Sequence, residues 1–188
     1  MKKIILAVAL VASTVGIYSF TTKKGGDAYS ADTAKSKVEF IGSKAEGYHT
    51  GFFTLKDGEV NVEAGKITGG SFTVDINSLK ITDGSPDMLT DHLKSPNFLD
   101  VSKSTTATFS ISSVNYVSAN KADINGILTL KGITAPVKFT ANIRGIDDKK
   151  LFAEASFSID RTAFGMSHDP KGNLADDVQI NVHLFAKK

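Results

Sequence analysis

The chain has 188 residues, 41% of them hydrophobic, 22% charged and 9% aromatic, which fits about one domain with a core able to stand alone. Sixteen glycines against four prolines, with no Cys and no Trp, exclude a collagen-like repeat, a disulfide scaffold and a thiolate metal site. The net charge of +2 comes from Lys2, Lys3, Lys23 and Lys24; the remainder carries 18 basic and 20 acidic residues, a balance of −2. Nucleic acid therefore has no electrostatic claim as a partner.

At the start of the chain, Lys2 and Lys3 precede the apolar run Ile4 to Val11 and then Ala12, Ser13, Thr14 and Gly16. This is the layout of a secretory signal peptide, so residues 1–24 are expected to be an address rather than part of the fold. The expected location is the periplasm or another exported site. The alternative is an inner-membrane anchor formed by an uncleaved leader, since Ile4 to Phe20 gives 17 mostly apolar residues, just short of the ~20 that span a bilayer. Without Cys no acyl anchor is available. Lys23, Lys24, Gly25, Gly26 and Asp27 read as a flexible linker.

From Ser36 onward apolar and polar residues alternate with period two, the mark of strands with one dry face. Phe72, Val74 and Ile76 alternate with Ser71, Thr73 and Asp75; Val178, Ile180, Val182 and Leu184 alternate with Gln179, Asn181 and His183. Eight segments follow, at roughly 36–45, 49–62, 65–79, 105–117, 120–131, 134–146, 150–160 and 175–187. Turn chemistry lies at Asp57-Gly58, Gly69-Gly70 and Gly145 to Lys149. Asn125-Gly126 would be a turn on dipeptide rules, yet Ile124, Leu128 and Leu130 keep one phase through it, so a bulge or tight bend is expected there.

The exception is Ser85 to Asp100, where Met88, Leu89, His92, Leu93 and Phe98 approach helical spacing after Ser85-Pro86. Pro96 should end that helix. Its apolar stripe suits a lid over one end of the sheet. The fold class is thus all-β, an eight-stranded antiparallel up-and-down barrel with one short helix between strands 4 and 5, because closure removes both sheet edges. At about 3.3 Å per residue and a tilt near 40°, a strand of about 11 residues gives a barrel roughly 28 Å tall. Any cavity in it is long and narrow.

Catalytic chemistry finds little support. The four histidines, His49, His92, His168 and His183, form no HExxH and no i, i+4 pair, and no G-x-S-x-G elbow occurs. No catalytic residue, metal or cofactor is expected. Asp91-His92 is an adjacent acid and imidazole, but helix neighbours point about 100° apart. Asp169, Asn173, Asp176 and Asp177 around Gly172 match no calcium loop and read as a solvated turn. By contrast Phe40, Phe53, Phe72, Phe109, Phe139 and Phe157 all fall on the inward phase, with Val74, Ile76, Ile111, Leu128, Leu130 and Ile159. Gly51 and Gly126 in or near that phase suggest an interior partly hollowed by small residues, as a lipid site requires. Head-group donors at the mouth are sought among His49, Lys80, Lys94 and Arg161; the planar fork of Arg161 suits a phosphate, or else an acid or a loop carbonyl.

At this point six ordered segments resemble the YceI-like family of exported polyisoprenoid-binding proteins, over about Tyr29 to Ala186. The start, SKVEFIGSKAEGYHTGFF, carries the Gly51-Phe52-Phe53 step. GGSFTVDINSLKITD is similar to the long strand before the helix. DHLKSPNFLD, Asp91 to Asp100, resembles the helix signature; GILTLKGITAPV, Gly126 to Val137, and IDRTAFGM, Ile159 to Met166, resemble two further motifs, and DDVQINVHLFA closes the domain. Ser104-Thr105 stands where members often have Tyr-Pro. The resemblance implies a lipocalin-like barrel, taking up residues 25–188, that binds a long isoprenoid lipid such as a polyprenyl phosphate or the tail of an isoprenoid quinone, without a reaction. A membrane surface would be a transient partner during exchange. Two other readings stay open: a barrel filled by its own side chains that acts through its surface, and an enzyme on a hydrophobic substrate using His49, Asp91 and His92. The sequence leaves the oligomeric state open.

Overall fold

The computed structural model describes residues 26–85 and 87–188. The expected leader, 1–24, and Pro86 lie outside the described residues. Nine strands, β1 (Asp27–Ala31), β2 (Lys37–Lys44), β3 (Gly47–Glu63), β4 (Lys66–Ile81), β5 (Thr106–Ser118), β6 (Lys121–Leu130), β7 (Ile133–Ile146), β8 (Lys150–Asp160) and β9 (Leu174–Lys187), are joined by one helix, α1 (Asp87–Lys94), and a 3-10 turn at Thr162–Phe164.

Every sequential neighbour from β2 to β9 pairs antiparallel, and β9 returns to β2, so the sheet closes up and down. The closed ring has eight positions, as the alternation predicts. Its extra strand is explained by one shared position: β1 pairs with the far half of β3 at Glu59 to Val62, while β2 pairs with its near half at Gly47 to Thr54. Both also touch β9. Asp27, expected in a linker, instead opens β1. Tyr29, on that strand, is buried and donates its hydroxyl to the Asp147 carbonyl at 2.6 Å. The helix follows the third of the alternating segments; β1 is what makes it the link between β4 and β5.

Alternation sets burial directly. On β6 Ala122, Ile124, Gly126 and Leu130 are buried, with Leu128 half-buried on the same face, and alternate with Asp123, Asn125, Ile127 and Thr129; on β8 Leu151, Ala153 and Ala155 are buried and alternate with Phe152 and Glu154. The turn expected at Gly145 to Lys149 does join β7 to β8, but the other two expected turns fall inside strands. Asp57-Gly58 is a register irregularity inside β3, and Gly69-Gly70 lies within β4. The real turn is Ala64-Gly65, with φ of 49° and 73°, and Lys131-Gly132 repeats it with φ of 54° and 76°. Two consecutive positive φ values match the twist of a two-residue hairpin. At Asn125-Gly126 the strand runs on, and the bulge falls on its partner β5, between Ile111 and Ser113.

Two packed clusters lie at different heights in the barrel. One end, at the turns β3–β4, β5–β6 and β7–β8, is sealed by Tyr29, Val60, Val62, Ile67, Ile124, Ile143, Leu151, Leu184 and their neighbours. Toward the other end Ile76, Ala107, Leu130, Phe164 and Met166 pack together. The helix, the loop 161–173 and the hairpins β2–β3 and β6–β7 all gather at this second end.

An apolar cavity and its mouth

Between the two clusters lies a cavity of about 480 Å³ lined by residues from every position of the ring, inside the roughly 300–1,000 Å³ range of small-molecule sites. The structure places all twelve residues expected on the inner wall there: Phe40, Phe53, Phe72, Val74, Ile76, Phe109, Ile111, Leu128, Leu130, Phe139, Phe157 and Ile159. Most of these rings and branched chains are only half-buried although they point inward, because they face open space rather than one another.

How the space stays open differs from expectation. Gly126 does not leave a hole, because the Phe109 ring occupies the place where its Cβ would stand; Gly51 and Gly58 receive Phe40 and Phe72 in the same way. Each glycine lets a ring lie back against the wall instead of standing across the axis. Gly126 also lets Phe109 of β5 reach over β6 to Phe139 of β7, with centroids 5.6 Å apart, and Phe139 stacks on Phe157 of β8 at 4.4 Å. The small inward side chains that leave the lumen free are alanines: Ala107, Ala141, Ala153 and Ala155.

At the mouth, α1 has no fully buried residue. Leu89, His92 and Leu93 line the cavity from above, so the apolar face of the helix covers open space. Met88 departs from the expected stripe: it is 79% exposed and lies outside the lining, one residue and therefore about 100° away from Leu89. The helix ends at Lys94, and turns run from Ser95 to Leu99, so Pro96 follows the helix rather than closing a longer one. Phe98 then packs its ring 4.8 Å from that of His92.

Of the four head-group candidates, the structure brings His49 and Arg161 to the lining and leaves Lys80 and Lys94 outside it. Lys80 is exposed on β4. Lys94 donates its ammonium to the Asn77 carbonyl at 2.9 Å, tying the helix to β4. Arg161 is buried, but its fork is engaged: Nε donates to the Ala175 carbonyl, one terminal nitrogen to the Met166 carbonyl and the other to Asp176 Oδ1. It fastens the loop 161–176 rather than offering an open fork to a phosphate. Asp169, in the same loop, accepts from the main-chain N–H groups of Asn173 and Leu174, the solvated turn expected there. Lys44, missed by the sequence reading, also lines the mouth. It sits on the same period-two phase as Phe40 and Gly42, and that phase was the available signal.

His49 Nδ1 lies 2.9 Å from Asp83 Oδ2 and 3.1 Å from Ser85 Oγ. Hydrogen bonds from the Ser85 hydroxyl and N–H, then from the Thr50 N–H and His49, hold the Asp83 carboxyl well below the usual carboxylate range. An ionised carboxylate at this distance requires the proton on Nδ1. Serine and aspartate meet the same ring nitrogen, whereas a nucleophile–base–acid relay needs both; the cluster is a latch joining β3 to the chain before α1. Asp91 is exposed and outside the lining. Among the described residues, no group of three or more metal-ligating side chains converges.

Known proteins share this architecture. A crystal structure of BcnA from Burkholderia cenocepacia superposes with a TM-score of 0.73 at 25% identity, covering 83% of this chain and 99% of that one. A polyisoprenoid-binding domain from Saccharophagus degradans superposes with a TM-score of 0.67 at 16% identity, over 85% and 97% of the two chains. In sequence, a UPF0312 protein of Enterobacter sp. (strain 638) is 33% identical over 98% of this chain and 96% of its own length. Another, from Ectopseudomonas mendocina, is 34% identical over 64% of this chain and 66% of its own. The YceI-like domain model matches residues 29–186, from the buried Tyr29 of β1 to Ala186 near the end of β9, and the chain belongs to that family.

Proposed function

We propose that the protein binds a long isoprenoid lipid in its barrel, for carriage or storage outside the cytoplasm, and performs no reaction on it. The observation that carries this reading is the cavity itself, lined almost wholly by apolar atoms and flanked by rings laid back on glycines. A chain molecule buried there gains about 0.8 kcal/mol per CH₂ without any specific polar contact. That the polyisoprenoid-binding domain of S. degradans shares this fold supports the reading. The inward side chains of the eight wall positions act as the binding surface, with Leu89, His92 and Leu93 as the lid and His49 at the head-group end. A barrel filled by its own side chains has no such space.

The test is organic extraction of protein purified from its native host, followed by mass spectrometry, which should recover lipid near one per chain. Added polyprenol at about a hundredfold its Kd should stabilise the protein by roughly 2.7 kcal/mol, raising Tm by roughly 5–10 °C for a domain of this size. An empty extract together with an unmoved Tm overturns the reading.

A further inference from the structure

We propose that the mouth of the barrel is a docking face for an uncharged or zwitterionic lipid surface, entered by Tyr48 and Met88 with Ile133 beside them. This rests on the lipid-binding reading for its purpose, since it names the face through which the cargo passes. Three of the five large hydrophobic residues that are most exposed lie at this end: Tyr48 at 63%, Met88 at 79% and Ile133 at 40%. They come from three separate elements around the opening, the β2–β3 hairpin, the helix α1 and the first residue of β7. Met88 neighbours Leu89 and Tyr48 neighbours His49, both of which line the cavity. The apolar lining therefore continues outward onto the rim at these two points. The opposite end is sealed by packed side chains, so an isoprenoid can pass between lumen and bilayer without crossing water only through the mouth.

The charges on the rim select the kind of surface. Lys94, Lys131 and Arg161 are engaged by main-chain carbonyls, Lys131 by those of Pro96 and Gly165. Lys103 pairs with Asp100. The other exposed cations near the rim, Lys44, Lys80 and Lys171, are matched in number by the exposed carboxylates of Glu46, Asp87 and Asp91. No basic patch forms, and attraction to anionic lipid has no source there. Docking then depends on apolar insertion, which salt does not screen.

The experiment uses the mature protein and vesicles of phosphatidylcholine and phosphatidylethanolamine, with and without phosphatidylglycerol. Flotation of empty protein should show binding to the zwitterionic vesicles that is unchanged by high salt. The double variant Tyr48→Ser/Met88→Ser, which alters no lining residue, should float roughly tenfold less or worse. Loaded with a fluorescent polyprenol, wild-type protein should transfer it at a rate that rises with acceptor-vesicle concentration, and the variant should not, while both bind polyprenol equally in solution. Flotation only on anionic vesicles and lost in salt, or equal flotation of the variant, overturns the docking face. Failure of wild-type protein to bind polyprenol overturns the cargo reading instead, and the flotation of empty protein still decides the face.

Discussion

Gly126 shows how one missing side chain shapes a binding site. The Phe109 ring fills its Cβ position and from there touches Phe139. Gly126→Ala should push that ring off the wall, destabilise the fold by about 1–3 kcal/mol through overpacking, and weaken lipid uptake more than a surface change of equal ΔΔG; urea melts beside polyprenol titrations check this. Arg161 poses the opposite case, a buried charge whose worth lies in what it holds. Arg161→Met leaves the carbonyls of Ala175 and Met166 without their donor and should cost about 1–3 kcal/mol, while leaving polyprenol affinity nearly unchanged at temperatures where the variant is folded. A large selective loss of affinity for a phosphate-headed lipid would instead give the guanidinium a direct role.

At the scale of elements, the latch between β3 and the chain before α1 makes a pH prediction. Asp83 is held below its ordinary pKa, so its hydrogen bonds contribute stability that is complete above the unfolded value of about 4 and is lost as pH falls further toward the folded value. Asp32, Asp100, Asp147, Asp160, Asp169 and Glu154 are lowered as well. Tm should therefore be flat near neutrality and fall below about pH 4, and Asp83→Asn should fall less steeply over that window. The same elements show what was legible beforehand. Period-two alternation gave the eight long wall segments, because a half-buried strand writes its burial into every second residue. It could not give β1, since two inward positions, Tyr29 and Ala31, are too few to make a pattern. Dipeptide turn rules failed at Asp57-Gly58 because the barrel register needs a strand there and Gly58 is taken up by the Phe72 ring. The wall of the cavity was readable, as were His49, Leu89, His92 and Leu93 at the mouth, whereas the state of the cations there was not. Whether Lys94 or Arg161 is free depends on carbonyls brought close by loops, and no spacing encodes that.

For the molecule as a whole, the open lumen is the property from which function follows, and it can be tested by filling it. Ala155 lines the cavity and is buried on β8. Ala155→Phe should place a ring in free space with at most about 1–3 kcal/mol of strain, keep the barrel folded by circular dichroism, and abolish the polyprenol-induced rise in Tm. A rise as large as that of wild type would mean that the cargo sits elsewhere.

The shared position of β1 and β2 fixes which way the barrel faces. Asp27 pairs with Val62 beside the β3–β4 turn, so the chain enters the fold at the sealed floor. Any membrane leash attached upstream of that residue would hang the barrel upside down, with its opening roughly 28 Å from the parent bilayer. Unless a leash that long doubled back, such a molecule would serve the facing membrane, and only a released one would serve both.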